Sequence, residues 1–154
     1  MRIIFDLDGT LRDATHRKPL LPSAADRADT AKWIAYNAAG ASDAPVHGMI
    51  ALLESLAATA DWIVIGTSCG DAARESVELW LERHGLVGSY DQLVMREMSD
   101  HRSTLAYKRA LFETFRPDLI VDDNPGVVDL ANSMGIVGML VKSYDPYVLE
   151  QLAK

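Results

Sequence analysis

Two carboxylates one residue apart, Asp6 and Asp8, follow the apolar run Ile3-Ile4-Phe5 and precede Gly9-Thr10-Leu11. Side chains alternate along an extended segment, so Asp6 and Asp8 are expected on the same side of it, with Gly9 allowing a sharp turn just beyond. One of them can attack an electrophile while the other handles protons. Holding both charges together is unfavourable unless a cation or a proton separates them, and a hard divalent ion such as Mg²⁺ suits oxygen ligands of this kind. Taken alone, D-x-D-G also fits an Asx turn at the end of a strand.

Three further segments supply groups that a simple turn would not need. Leu119-Ile120-Val121 ends in Asp122-Asp123-Asn124-Pro125-Gly126, a second strand tip bearing carboxylates. Trp62-Ile63-Val64-Ile65-Gly66 ends in Thr67-Ser68, which offer hydroxyl and amide donors. The stretch 103–114 has helical character and carries Lys108 between the hydroxyl strand and the second acidic strand. A nucleophile, a set of metal ligands, donors for phosphate oxygens and a counter-charge are the parts that phosphoryl transfer needs, because that chemistry rests on positioning and on neutralising spread negative charge.

These groups have to be brought together by the elements that carry them. The patterning predicts strands at 2–6, 61–66, 91–95, 118–122 and 136–141, alternating with helices at 46–59, 71–84, 103–114 and 125–133 and a closing helix near 146–153. That rhythm implies crossover connections and an α/β fold, a Rossmann-like parallel sheet with helices on both faces. Ligands bind such sheets at the carboxyl ends of the strands, where Asp6, Thr67 and Asp122 all fall. The segment 12–45 departs from the rhythm, and within it Ser23 to Asn37 is predicted helical with Ser23 as N-cap. Trp33 and Tyr36, three residues apart, could stack a base or pack this segment onto the core.

The 154-residue chain can bury one core but hardly two, and its 49% hydrophobic and 24% charged content is that of an ordinary globular protein. No apolar run approaches the roughly 18 residues of a membrane span, and no signal-peptide pattern opens the chain. The lone cysteine, Cys69, allows no internal disulfide, so a cytoplasmic location is expected. The net charge of −7 opposes a polyanionic partner over the chain as a whole. Local basic clusters, Arg12, His16, Arg17 and Lys18 after the first motif and Arg96, His101 and Arg102 before the Lys108 helix, could nonetheless focus a field onto one terminal phosphate. No feature of the chain speaks to its oligomeric state.

Asp6-Leu7-Asp8-Gly9-Thr10-Leu11, Thr67, Lys108 and Asp122-Asp123, in this order, resemble the haloacid dehalogenase-like (HAD) hydrolases, and the likeness runs over nearly the whole chain. His16-Arg17, Trp80 to Leu86, Leu93-Val94-Met95-Arg96 and Asp100-His101-Arg102 further resemble the phosphatase half of phage-type polynucleotide kinases, which remove 3′-phosphates from nucleic-acid ends. The resemblance implies one HAD-like domain over 1–154 with a small cap inserted at about 12–45. It implies Asp6 as the nucleophile that forms an aspartyl-phosphate and Asp8 as the acid and base. Mg²⁺ would be held by Asp6, the backbone carbonyl of Asp8 and Asp122, with Asp123 as an alternate ligand. Thr67 and Lys108 would bind the transferring group, and Ser68, Arg17 and Arg96 would join them in holding substrate.

Two positions depart from the family pattern, since Cys69 stands where the family has a basic residue and Asn124 follows the acidic pair where an Arg is often seen. Both remove positive charge near the substrate. A 3′-phosphate end of nucleic acid or a nucleotide is the substrate expected, and a small-molecule nucleotidase or general phosphatase is the alternative within the same fold. From other classes, a non-catalytic phosphate-binding module would keep the fold without turnover, and a phospho-receiver domain would need an acceptor Asp on the interior strand that here ends Ile65-Gly66-Thr67. No G-x-x-x-x-G-K-[ST] loop is present, so kinase activity is not expected of this chain.

Overall fold

The computed structural model describes residues 1–142. Its strands are β1 (Arg2–Phe5), β2 (Arg12–Asp13), β3 (Ala44–Pro45), β4 (Trp62–Gly70), β5 (Gln92–Arg96), β6 (Leu119–Asp122) and β7 (Val137–Leu140). Its helices are α1 (Ile34–Ala38), α2 (His47–Ala57), α3 (Arg74–Arg83), α4 (Thr104–Phe115) and α5 (Pro125–Ser133). Five strands pair in parallel in the order β5-β4-β1-β6-β7, the α/β sheet expected from the alternating pattern. β1 therefore lies between the hydroxyl-bearing strand and the second acidic strand. The helix expected near 146–153 falls outside the described residues.

Alternation along the strands sends neighbouring side chains to opposite faces. Ile3, Phe5, Ile63 and Ile65 pack with Ile50 and Leu53 of α2 and with Val77, Trp80 and Leu81 of α3. Ile4, Val64 and Ile120 pack on the other face with Leu111 and Phe112 of α4 and Val127 and Ala131 of α5. Both faces are covered, so the strands read as continuous apolar runs rather than as alternating ones. Burying each such large side chain contributes roughly 1.5–3 kcal/mol. α4 comes especially close to β4, since a Cβ on Gly66 would lie 2.5 Å from Leu111 Cδ2. That approach brings Lys108, one turn earlier on α4, to the end of β4.

Two elements differ from expectation. β4 does not stop at 66 but continues to Gly70, because β5 runs on to Arg96 and gives Gly70 a partner. The register slips between Thr67 and Gly70, and the Cys69 N–H donates to Thr67 Oγ1 at 3.0 Å instead of to a neighbouring strand. Such a bulge re-aims side chains at a strand end.

The second difference lies between β2 and β3, whose short antiparallel ladder, Arg12 with Pro45 and Asp13 with Ala44, clamps the two ends of the inserted segment. No single helix spans 23–37. Turns of 3-10 helix at Thr15–Leu20, Thr30–Trp33 and Ala39–Ser42 accompany the five-residue α1. Ser23 Oγ donates to Asp26 Oδ2 at 2.6 Å, and it is Asp29 that caps, accepting from the Ala31 N–H at 3.0 Å. Short polar side chains that bond locally offer the backbone an alternative to the helix, and Ser23, Asp26 and Asp29 do so within the expected run.

Candidate active site

β1 ends at Phe5, and the Asp6 N–H still donates to Val121 O at 2.8 Å, which fixes Asp6 at the carboxyl end of the central strand. The chain then folds back on itself. The N–H groups of Leu11 and Arg12 both donate to Leu7 O, at 2.9 and 3.1 Å, and the Gly9 N–H donates to Arg12 O at 2.8 Å. Gly9 has φ of +89°, and a Cβ there would lie 2.5 Å from Asp123 Cγ, so the loop after β6 closes on this turn only because residue 9 lacks a side chain. The extended backbone stops before Asp8. Strand alternation is thus not what aims that carboxylate, contrary to expectation.

Asp6 is held by Lys108. α4 begins at Thr104 with Ser103 Oγ accepting from the Ala106 N–H, and four residues on the Lys108 ammonium sits almost fully buried. Its three donors are all used, on Asp6 Oδ1 at 2.6 Å, Gly66 O at 2.8 Å and Asp122 Oδ2 at 2.9 Å. Asp122 Oδ1 accepts from the Asn124 N–H at 2.9 Å, and Asn124 in turn caps α5 by accepting from Gly126. One carboxylate oxygen from each of Asp6, Asp122 and Asp123 lies within 4.8 Å of the others.

Three carboxylates therefore face one ammonium. Burial pushes the Asp6 carboxyl well up, against the pull of Lys108, and the charges of Asp122 and Asp123 add to the rise. Burial and then the Asp122 charge push Asp123 up to about 6. For Lys108 burial works against the charge, but Asp6 and Asp122 outweigh it and hold the pKa above its usual range. Clustered hard oxygen donors with a surplus of negative charge match what Mg²⁺ takes. Asp6, Asp122 and Asp123 are the side chains that could hold it, while the Asp8 carboxylate is not among them.

Asp8 belongs to a second network. Arg12 Nε and Arg17 Nη2 donate to Asp8 Oδ1 at 2.6 and 2.7 Å. Both guanidiniums also pair with Asp43, Arg12 at 3.3 Å, and His16 Nε2 lies 2.7 Å from the other Asp43 oxygen. Arg12 Nη1 reaches Gly40 O and Arg17 Nη1 reaches Tyr36 O, with Arg17 also stacked 4.4 Å from the Tyr36 ring centroid. Burial alone would raise the Asp8 pKa, but the two guanidiniums overcome it and hold the carboxyl below its ordinary value. Arg12 and Arg17 are fully buried, and neither lines the cavity above the site. Arg17 was expected on substrate and is found spent on Asp8 and Asp43 instead. Asp43, the hinge of this network, has no motif around it that would have marked it in the sequence.

A cavity of about 680 Å³ opens over both networks. Asp6, Asp8, Thr67, Ser68, Arg96, Lys108, Asp122 and Asp123 all line it, so the predicted site residues other than Arg17 converge on one space. The inserted segment forms another wall with Trp33 and Tyr36, which pack on each other edge to face with centroids 5.5 Å apart. Thr30 Oγ1 donates to Met98 O at 2.7 Å and lies 2.8 Å from His101 Nδ1, tying that segment to the loop after β5. The Cys69 thiol is buried, and burial pushes its pKa up to about 12, which leaves it inert as a nucleophile.

Residues 1–145 match the family model described as the polynucleotide kinase PNKP phosphatase domain. No curated protein matches the chain. Among solved structures, a chain of the Pnkp1/Rnl/Hen1 complex is similar at 23% identity with a TM-score of 0.72, covering 94% of this chain and 46% of that one. A chain of the Pnkp1/Rnl/Hen1 RNA repair complex is similar at 24% identity and a TM-score of 0.68, covering 91% of this chain and 42% of that one. This chain thus spans less than half the length of each. A HAD-hydrolase from Bacillus subtilis bound to magnesium is similar at 14% identity and a TM-score of 0.59, over 95% of this chain and 90% of that one.

Proposed function

The chain belongs to the family of polynucleotide kinase PNKP phosphatase domains, a HAD-type phosphatase, and from that premise we propose that it hydrolyses 3′-phosphates of nucleic-acid ends or nucleotides in a Mg²⁺-dependent reaction through an aspartyl-phosphate on Asp6. The observation that carries this is the meeting of Asp6, Asp122, Asp123 and Lys108 at the carboxyl ends of β1, β6 and β4, within a cavity that also holds Asp8. The segment 12–45 acts in this account as the small cap of one HAD-like domain spanning 1–154.

Asp6 attacks phosphorus, a P–O bond to its carboxylate forms, and the bond to the leaving oxygen breaks. Asp8 gives that oxygen its proton, then removes a proton from the water that opens the aspartyl-phosphate and releases inorganic phosphate. Arg12 and Arg17 keep Asp8 ionised at rest, which suits its second task. For the first task the proton arrives with the substrate, since the second pKa of a phosphomonoester is about 6 and part of it is monoprotonated near neutral pH. Thr67 binds the oxygens of the transferring group, and Lys108 joins it by releasing one of its three present acceptors while it continues to orient Asp6. Mg²⁺ held by Asp6, the Asp8 carbonyl and Asp122, with Asp123 at hand, would supply charge neutralisation of the phosphoryl oxygens.

Two features support the substrate assignment. The family model is that of a polynucleotide kinase phosphatase domain, and a structural neighbour comes from an RNA repair complex. Among the described residues no helix is long and apolar enough to cross a membrane. With its single free cysteine buried, the chain suits the reducing cytoplasm, where we place it. The test is Mg²⁺-dependent phosphate release from matched 3′- and 5′-phosphorylated oligonucleotides, 3′-mononucleotides and p-nitrophenyl phosphate, with Asp6→Asn as the blank. Selectivity for 3′-phosphates is expected. Preference for other phosphomonoesters moves the protein to a general phosphatase, and no release above the blank from any of them contradicts the assignment.

A further inference from the structure

Arg96 ends β5 and packs on α4, its guanidinium carbon 4.7 Å from the Tyr107 ring centroid. Nη1 donates to Arg102 O at 3.0 Å, but Nε and Nη2 are buried with no hydrogen-bond partner among the described residues. The residue is only 8% exposed. The acidic residue in its own loop, Asp100, is claimed by Arg102, whose Nε and Nη2 reach its two oxygens at 2.9 and 2.6 Å. Arg12, Arg17 and Lys108 each bind carboxylates at short range, whereas no ion pair joins Arg96 to any described carboxylate. Burial accordingly pulls the Arg96 pKa down by more than Asp100 and Tyr107 restore.

A buried guanidinium with two idle donors is costly in the free protein, and the cost is relieved when an anion accepts from it. Arg96 lines the cavity over the site, and so does Ser68, whose Oγ is likewise buried without a partner. Asp6 follows β1, and β4 separates β1 from β5. Two strand spacings, roughly 10 Å, therefore separate the backbones that carry Asp6 and Arg96. Among the described residues no hydrogen bond or ion pair joins Arg96 to the Asp6–Lys108–Asp122 cluster, and a nucleotide is long enough to touch both, with room for one in the cavity of about 680 Å³.

We propose that Arg96, braced by Tyr107 and assisted by Ser68, forms a second anion subsite that binds a charged group of the substrate other than the phosphate being removed. The subsite rests on the phosphatase assignment of the same cavity and narrows its substrate class. It selects phosphomonoesters that carry a second phosphate or a phosphodiester one nucleotide unit away. The planar fork of Arg96 matches two oxygens of such a group, which a lysine would not.

The test titrates three ligands by calorimetry into the full chain carrying Asp6→Asn, with and without Arg96→Gln. The ligands are a nucleoside 3′-monophosphate, the matching 3′,5′-bisphosphate and a dinucleotide ending in a 3′-phosphate. Binding of the bisphosphate, the dinucleotide or both about tenfold or more tightly than the monophosphate is expected, with Arg96→Gln abolishing the difference. A gain for the bisphosphate alone identifies a free second phosphate as the partner, and a gain for the dinucleotide alone identifies the polymer backbone. Should Arg96→Gln not fold, Arg96→Lys is expected to keep only part of the preference. Equal affinity for all three ligands, no binding of any, or a preference that survives both variants overturns the subsite. Turnover of p-nitrophenyl phosphate by the unaltered chain reports separately on the phosphatase assignment, which such a result would leave standing.

Discussion

Replacing Lys108 with methionine keeps most of the length of the side chain and removes its charge. The ammonium donates to Asp6, Gly66 O and Asp122 at 2.6, 2.8 and 2.9 Å, with 3% of the side chain exposed. Removing one partner of a buried ion pair costs about 3–5 kcal/mol. Asp6 can relieve some of that by taking up a proton, because burial already pushes its pKa up, so the lower end of the range, about 3 kcal/mol, is expected. For a chain of 154 residues that corresponds to a fall in Tm of roughly 6–12 °C. Mg²⁺ would neutralise the same carboxylates, so it should raise the Tm of Lys108→Met by more than it raises that of the unaltered chain. Phosphatase activity should fall by a factor on the order of 10² or more, as when a donor to a developing charge is lost. Thermal melts with and without Mg²⁺, paired with phosphate release, measure all three. A Tm within about 2 °C of the parent and an equal response to Mg²⁺ would refute the idea that Lys108 balances the acidic cluster.

Gly9→Ala should cost roughly 1–2 kcal/mol from its left-handed backbone and push Asp123 aside, so both Tm and activity should drop. Gly48→Ala, where nothing lies within 4 Å of the new Cβ, is the control expected to alter neither adversely. Arg12 and Arg17 lower the Asp8 pKa, so the stability that its ionised form contributes is complete above the ordinary carboxylate pKa and is lost as pH falls through the depressed value. Melts of Asp8→Asn against pH should lack that part of the acid limb, and identical acid limbs would count against the Arg12–Asp8–Arg17 network. The Cys69 thiol should resist alkylation at pH 8 in the folded protein and react on denaturation, as followed by mass spectrometry with iodoacetamide. Rapid native alkylation would contradict its burial.

The sheet and most of its helices were legible because short apolar runs alternate with helical periodicity, and because each strand tip that faces the site carries a polar residue the core would reject. Asp6, Thr67, Lys108 and Asp122 come from separate elements, with Asp6 and Lys108 102 positions apart, and the sequence marks Asp6, Thr67 and Asp122 by the apolar runs they follow and Lys108 by its place on a helix between two of those runs. Asp8 reaches the cavity from the turn after β1 and not by strand alternation, since the strand stops short of it. The inserted segment was the hardest to read. The stretch 23–37 reads as a helix capped by Ser23, but Ser23, Asp26 and Asp29 bond locally and break it into turns. Arg12 and Arg17 looked like a basic surface, and only the fold brings Asp43 beneath them to make a closed network with Asp8. Arg96 lines the cavity, but the idle donors on its guanidinium depend on Arg102 having taken Asp100, which no spacing reveals.

Covalent phosphorylation of Asp6 is the step on which the proposed mechanism turns. The direct measurement is rapid acid quench during turnover of a substrate labelled in its phosphate, followed by peptide mapping. Label on the peptide that contains Asp6 is expected, reduced by a later chase with unlabelled substrate and absent from Asp6→Asn. Steady release of labelled phosphate with no protein-bound label at any quench time, together with undiminished activity of Asp6→Asn, would contradict the account.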